Sequence, residues 1–359
     1  MSGASLITSP ASAALDPLCD ELRAASAQID ARNQWPAESL KRCGDYGVYQ
    51  WFVPRSWGGQ DWSESDAVRG YIRLSAACMT TAFILTQRTA ACRWLMESQH
   101  PEPQEDWLGA LTTGERFATV GISHFTTSRR HLARPVVTVE ETADKFVLDG
   151  YTPWVTGASH ADVILTGGEL ADGRQVLLAV PTDLAGVTAE KPAQLVALSA
   201  SHTGPLRFDR ARVPRRCLVA GPVENVMTQR TSGSSGGLQT SALAVGLSSA
   251  AVKFLEQETA KRPDLAAATA SLREEYEGVA ADLLALAAGA AACSKEDVRA
   301  RANSLVLRVT QAALTAAKGS GFVVGHPTGR WCREALFFLV WSCPQPVMNA
   351  TLCELAGLS

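Results

Sequence analysis

The chain has 359 residues, 46% of them hydrophobic and 19% charged, with 33 Lys and Arg against 36 Asp and Glu for a net charge of -3. That is an ordinary globular balance, with room for one large domain or two to three smaller ones. It gives no electrostatic reason to expect nucleic acid or an anionic membrane as a partner.

The opening "MSGASLITSPASAALDP" has no basic start followed by an apolar core, so it does not read as a secretion signal. Residues 1 to about 112 read as helices. "LCDELRAASAQIDARNQ" carries apolar residues near helical spacing, and "PAESLKRCGDYGVY" stops at glycines. "SESDAVRGYIRLSAACMTTAFILTQRTAACRWLMES" opens with Ser-x-x-Asp, a helix-start pattern, and is long enough for one long helix or two. From 113 to about 225 the character changes to short β-rich runs separated by Gly, Asp and Pro, among them "RFATVGIS", "RPVVTVEE", "KFVLDGYTPWVTG", "DVILTGGEL" and "RQVLLAVP". These predict a small antiparallel barrel or sandwich. Residues 226 to 359 carry "TSGSSGGLQ", a turn-rich link, and after it are rich in Ala and Leu and read as a bundle of three helices. A fourth, "RWCREALFFLVW", is interrupted or ended by Pro344 and Pro346. No apolar run is expected to reach membrane-spanning length; "EALFFLVWSCP" is too short. Nine cysteines and six histidines are scattered, without a CxxC or a pair at zinc-ligand spacing. We expect reduced thiols, a cytoplasmic protein and no metal.

The order of helices, strands and helical bundle, an α+β architecture, carries four motifs. "GVYQWFVPRSWGGQDWSESD" runs from an apolar stretch through Pro to a two-glycine turn and a polar helix start. "DKFVLDGYTPWVTGASHAD" takes an extended strand to Gly, then an aromatic-apolar-Thr triplet, then Ala-Asp. "LRFDRARVP" closes the β-region, and "AKGSGFVVGHPTGRWCREA" is a Gly-rich turn followed by Pro, Arg and an Arg-acidic pair. In this order and spacing they resemble the acyl-CoA dehydrogenase superfamily over nearly the whole chain. The resemblance implies FAD between the β-domain and the bundle, a homodimer or homotetramer, and oxidation of a small acyl thioester carried by coenzyme A or a carrier protein.

It also assigns residues. Trp154, Val155 and Thr156 would form a wall against the flavin ring: an indole is a planar apolar surface, and a threonine hydroxyl can donate to the ring's polar edge. Gly121, Ile122 and Ser123 would present backbone N–H groups and one hydroxyl to the same ring. Gly319 and Gly321, with Lys318 before them and Phe322 after, match a late turn that approaches a neighbouring subunit's FAD. Arg262 sits roughly where relatives hold that FAD with an arginine, although their Arg-x-Phe-Gly run is missing. Arg129, Arg130 and Arg134, near His131, would form a cationic rim for a phosphate-bearing substrate arm.

The chemistry departs from the pattern. Relatives use a glutamate to remove the substrate's α-proton, at one of two positions. Here those positions are Ser342 and Gln239, and neither side chain ionises near neutral pH. Three readings stay open: an oxidoreductase with another base, for which Cys343 and His124 are the candidates; a flavin-dependent monooxygenase of the same fold, which needs a dry pocket and no carboxylate; or a non-catalytic homologue that binds or assembles.

Overall fold

In a computed structural model the structure describes residues 5–126, 135–229, 237–290, 293–341 and 343–358. The chain opens with α1 (Leu15–Arg32), α2 (Ala37–Asp45), α3 (Glu64–Ala77), α4 (Met79–Met96) and α5 (Pro101–Thr113). The Ser-x-x-Asp signal is used as expected: Ser63 Oγ accepts from the Asp66 N–H at 3.1 Å and caps α3. The long apolar segment behind it is two helices, not one. Cys78 is extended (φ -152°, ψ 103°) and separates α3 from α4.

The strands follow as β1 (Ala118–Gly121), the one-turn helix α6 (Ser123–Thr126), β2 (Val137–Glu141), β3 (Lys145–Val155), β4 (Val163–Leu170), β5 (Gln175–Pro181), β6 (Val187–Ala189), β7 (Gly204–Pro214) and β8 (Leu218–Val223). They form one sheet in the order β6-β7-β3-β2-β4-β5-β8, with β1 added beside β4. The antiparallel expectation needs a correction here, because β1–β4 and β2–β4 are parallel and the sheet is mixed. The cause is topological: β1 lies ahead of α6 and the β2–β3 hairpin, so its pairing with β4 is non-local. The sheet's inner face buries Phe146, Leu148, Val155, Ile164 and Phe208 almost completely, at about 1.5–3 kcal/mol for each large side chain. Its other face, through Val120, Leu165 and Leu177, packs with Trp94 and Leu95 of α4 and Leu108 of α5.

The C-terminal helices are α7 (Gly237–Thr259), α8 (Ala266–Ala287), α9 (Lys295–Gly321), α10 (Pro327–Ala335) and α11 (Gln345–Leu355). Pro344 caps α11, so helix resumes after the interruption. One expectation fails: α7 is long and apolar enough to cross a membrane by length and composition. Most of it is buried inside the fold, where Leu243, Val245, Leu247 and Val252 belong to the same core as Leu74 of α3 and Val306 of α9. The sequence is apolar because the helix is surrounded. Gly246 allows the approach, since a Cβ there would lie 2.4 Å from the Ile72 carbonyl oxygen. Ser75 Oγ donates to the Leu243 carbonyl at 2.8 Å across that seam. The N- and C-terminal helices therefore share one core. The turn between β6 and β7 reaches into it through Leu198 and Ala200. Arg333 of α10 locks that turn to the helices, donating to Asp30 of α1 at 3.0 and 2.5 Å and to the Val196 carbonyl at 3.3 Å.

Candidate active site

The C-terminal ends of β1 and β3 lie against each other. A Cβ on Gly121 would stand 2.9 Å from Val155 Cγ2, so only glycine lets the strands close to this distance. The Gly121 carbonyl accepts from Thr166 Oγ1 at 2.7 Å and lies 3.4 Å from Thr152 Oγ1. These bonds set the point where the chain leaves β1 for Ile122, Ser123 and His124.

At the end of β3 the burial pattern is uneven. Thr152, Pro153, Val155 and Thr156 are buried, while Trp154 between them is 49% exposed. A period-2 strand explains one outward residue. It gives no reason for that residue to be a large indole, which is usually covered. Val155 points into the sheet's core, so only its backbone is available to a ligand. The Thr156 hydroxyl lies 2.9 Å from that of Thr203, which lies 2.8 Å from Ser201 Oγ, and all three residues are buried. Ser123 Oγ is buried and has no hydrogen-bond partner among the described residues, an arrangement that costs roughly 1–3 kcal/mol unless something satisfies it. A half-exposed indole at the end of β3 and an orphaned hydroxyl just past the end of β1 are what a planar ligand with polar edges would complete. The residues here fit a flavin on that ground.

His124 is half-buried, with both ring nitrogens engaged. The Gly167 carbonyl can only accept, so Nε2–H donates to it at 3.1 Å, and Nδ1 then accepts from the Thr152 hydroxyl at 3.2 Å. Burial pushes its pKa down to about 4, against the opposing pull of that carbonyl. The ring is neutral at pH 7, and its one lone pair is occupied.

The second group of expected residues assembles on the bundle. Arg262 follows α7 and donates to Glu258 at 2.9 Å and to the Ala316 carbonyl of α9 at 2.5 Å. That brings it beside the turn carrying Gly319 and Gly321. Within α9, Lys318 breaks the helix at φ 54°, ψ -149°, a region that glycine otherwise occupies. A Cβ on Gly321 would stand 2.7 Å from Thr328 Oγ1, whereas Gly319 has open space around it. Phe322 is 86% exposed.

Gln239 lies in the first turn of α7, and its amide nitrogen is buried without a partner among the described residues. Cys343 is half-buried, and burial raises its thiol pKa, with Arg299 pulling the other way. It is a thiol rather than a thiolate at neutral pH. Ser342, Arg129, Arg130, Arg134 and His131 lie outside the described residues. Thr203 and Ser201 were missed by sequence reasoning. They sit some forty-five residues beyond the triplet, and no local pattern announces them; only Gly157, which closes the triplet with φ 65°, hints that the chain turns there to meet another segment.

Helices that flank a mixed sheet and share one core define an architecture of the kind the motifs point to. Comparison with known proteins supports membership of the acyl-CoA dehydrogenase superfamily, with a family model matching the N-terminal part of the chain. Residues 12–115 match the family "Acyl-CoA dehydrogenase, N-terminal domain". The chain is 24% identical over 230 residues to the probable acyl-CoA dehydrogenase YngJ of Bacillus subtilis, a match covering 62% of this chain and 60% of that protein. The chain thus spans well under two thirds of that relative's length by sequence. Among solved structures it superposes on a glutaryl-coenzyme A dehydrogenase in complex with glutaryl-CoA, with a TM-score of 0.81, 18% identity and 96% of each chain covered. It also superposes on the dibenzothiophene monooxygenase of Paenibacillus sp. A11-2, with a TM-score of 0.79, 14% identity and 96% of each covered. At these identities the superpositions show the fold.

Proposed function

We propose that the protein is an FAD-dependent oxidoreductase that oxidises an acyl thioester, working as a homodimer or homotetramer in a reducing, cytoplasmic setting. The observations that support this reading are the half-exposed Trp154 indole at the end of β3 and, just past the end of β1, the Ser123 hydroxyl left without a partner among the described residues. Trp154, the Thr156 hydroxyl and the backbone of Gly121 to Ser123 would hold the isoalloxazine ring, and Gly319, Gly321 and Arg262 the diphosphate of a neighbouring subunit's FAD. When bound, the flavin would supply an acceptor for a hydride, that is, for two electrons and a proton together. The chain's own contribution is a flat wall that excludes water from one side of the ring and a hydroxyl that fixes its polar edge. The substrate's acyl carrier, coenzyme A or a carrier protein, is part of the proposal.

A second reading, a flavin-dependent monooxygenase, is supported by the state of the candidate bases. His124 has its lone pair committed to Thr152, Cys343 is held as a thiol, and Gln239 offers an amide. A reaction without α-proton abstraction needs none of them. Purification decides first. A flavin absorbance band supports both enzymatic readings; a colourless protein that refuses added FAD leaves a non-catalytic homologue. Anaerobic bleaching of the bound flavin by an acyl thioester then favours the dehydrogenase. A long-lived adduct on exposing the reduced protein to air favours the monooxygenase.

A further inference from the structure

Three residues from distant segments meet behind the wall. Trp35, between α1 and α2, stacks its ring on the imidazole of His160, with centroids 4.3 Å apart and planes within 10°. The edge of Phe117 lies 5.7 Å away on the same indole. His202 follows the 3-10 turn Ser199–Ser201 and holds φ at 47°, a left-handed conformation uncommon outside glycine.

The hydrogen-bond pattern fixes which nitrogens carry protons. The Asn33 carbonyl at the end of α1 can only accept, so His202 Nε2–H donates to it at 3.1 Å. His202 Nδ1 is then free to accept, and His160 Nε2–H donates to it at 2.9 Å. A continuous chain of donors therefore runs from the turn after the triplet to the end of α1.

Gly157 couples this cluster to the wall. Its N–H donates to the carbonyls of Ser201 at 3.0 Å and His202 at 3.2 Å. A Cβ on it would lie 2.6 Å from the Trp35 ring. The residue before it is Thr156, whose hydroxyl meets Thr203, the neighbour of His202. The sheet does not fix this corner by itself. The pairing of β3 with β7 shifts register between Thr152 and Val155, so the regular ladder is interrupted under the wall residues.

Resting on the flavin reading above, we infer that Trp35, His160 and His202 are positioning residues for the wall. The stacked indole and the paired imidazoles hold the turn after Thr156 against the Ser199–Thr203 turn. They thereby set where the Thr156 hydroxyl and the Trp154 indole stand.

The test is FAD titration of full-length variants, read by flavin fluorescence and the visible absorption band, with far-UV circular dichroism as the folding control. His160→Leu and Trp35→Leu are expected to weaken FAD binding at least about tenfold, the scale of one lost polar contact, and to shift the band. His160→Gln, whose amide N–H can donate to His202 Nδ1, is expected to stay within about threefold of the parent. Should His160→Leu not fold, Trp35→Leu carries the comparison. A folded leucine variant with parental affinity and band overturns the inference, as does His160→Gln behaving no better than His160→Leu. If the parent itself takes up no FAD, the flavin reading falls and this inference with it; parental uptake with unaltered variants removes the clamp alone.

Discussion

The hydroxyls of Thr156 and Thr203 lie 2.9 Å apart, and Ser201 Oγ continues the line 2.8 Å beyond Thr203. Each hydroxyl has one proton to give. Where Ser201 donates to Thr203 and Thr203 to Thr156, the Thr156 proton is left over for a ligand; the two distances allow this direction or its reverse. In that direction, a bound ligand that accepts from Thr156 would set the polarity of the whole chain.

Thr156→Val removes that hydroxyl and leaves the buried Thr203 hydroxyl with one hydrogen-bond partner fewer. We expect a stability loss of about 1–3 kcal/mol in urea denaturation, together with weaker FAD uptake and a shifted flavin spectrum. Thr203→Val should cost similar stability, yet leave the Thr156 proton in place and reduce FAD affinity less. Equal FAD titration curves for parent and Thr156→Val would discard the proposed contact.

Gly157→Ala tests the turn that ends the triplet. The position has φ 65°, and a methyl group there would sit 2.6 Å from the Trp35 ring. Left-handed backbone costs a residue with a Cβ roughly 1–2 kcal/mol, and displacing the stacked indole adds to it. The expected result is a destabilisation of about 2 kcal/mol or more, visible as a lowered thermal midpoint. Gly173→Ala is the control: it also has positive φ, 85°, but meets nothing within 4 Å, so it should show the backbone cost alone.

The helices were legible because their signals are local. Ser63 and Asp66 announce the start of α3 in four letters, and apolar spacing carries α1. The change to short β runs after Thr113 was equally plain in composition. What pairs with what was not legible. The parallel partnership of β1 with β4 joins Ala118 to Val163, and nothing in either strand specifies the direction of the other. The apolar wealth of α7 reads alike for a membrane and for a surrounded helix; only its neighbours on α3 and α9 separate the two. At the site, Trp154 to Thr156 could be read because three unusual residues stand together. Trp35, His160 and His202 could not, because their meaning lies in stacking and proton direction between segments up to 169 residues apart.

His124 predicts an acid limb of stability. Its folded pKa is about 4 against an ordinary 6.5, because burial disfavours the cation. Between those values the unfolded chain binds a proton that the folded chain refuses. The contribution is fully present above pH 6.5 and is lost as the pH falls toward 4. It amounts to about 3 kcal/mol at most. Because carboxylates titrate in the same window, the informative quantity is the difference between parent and His124→Gln in urea denaturation at several pH values. That difference should change between pH 6.5 and 4 and stay level above 7. A level difference throughout would mean that His124 titrates normally.

Glu334 predicts a dependence of opposite sign. It is buried in α10, with Arg330 Nε 3.6 Å away on the same helix face. Burial raises its pKa to about 7, and Arg330 offsets only part of that. The folded state therefore keeps the carboxyl protonated where the unfolded chain has already released the proton. Its contribution is fully present below about pH 4.5 and is lost as the pH rises through 7. Glu334→Gln keeps the neutral shape and cannot ionise. The glutamine variant should match the parent near pH 5 and become more stable than it by roughly 1–3 kcal/mol at pH 8, an upper range set by the size of the shift. Urea denaturation at pH 5, 6, 7 and 8 reads this directly. A variant that is less stable than the parent at pH 8 would show that the ionised carboxylate, paired with Arg330, is the form the fold prefers.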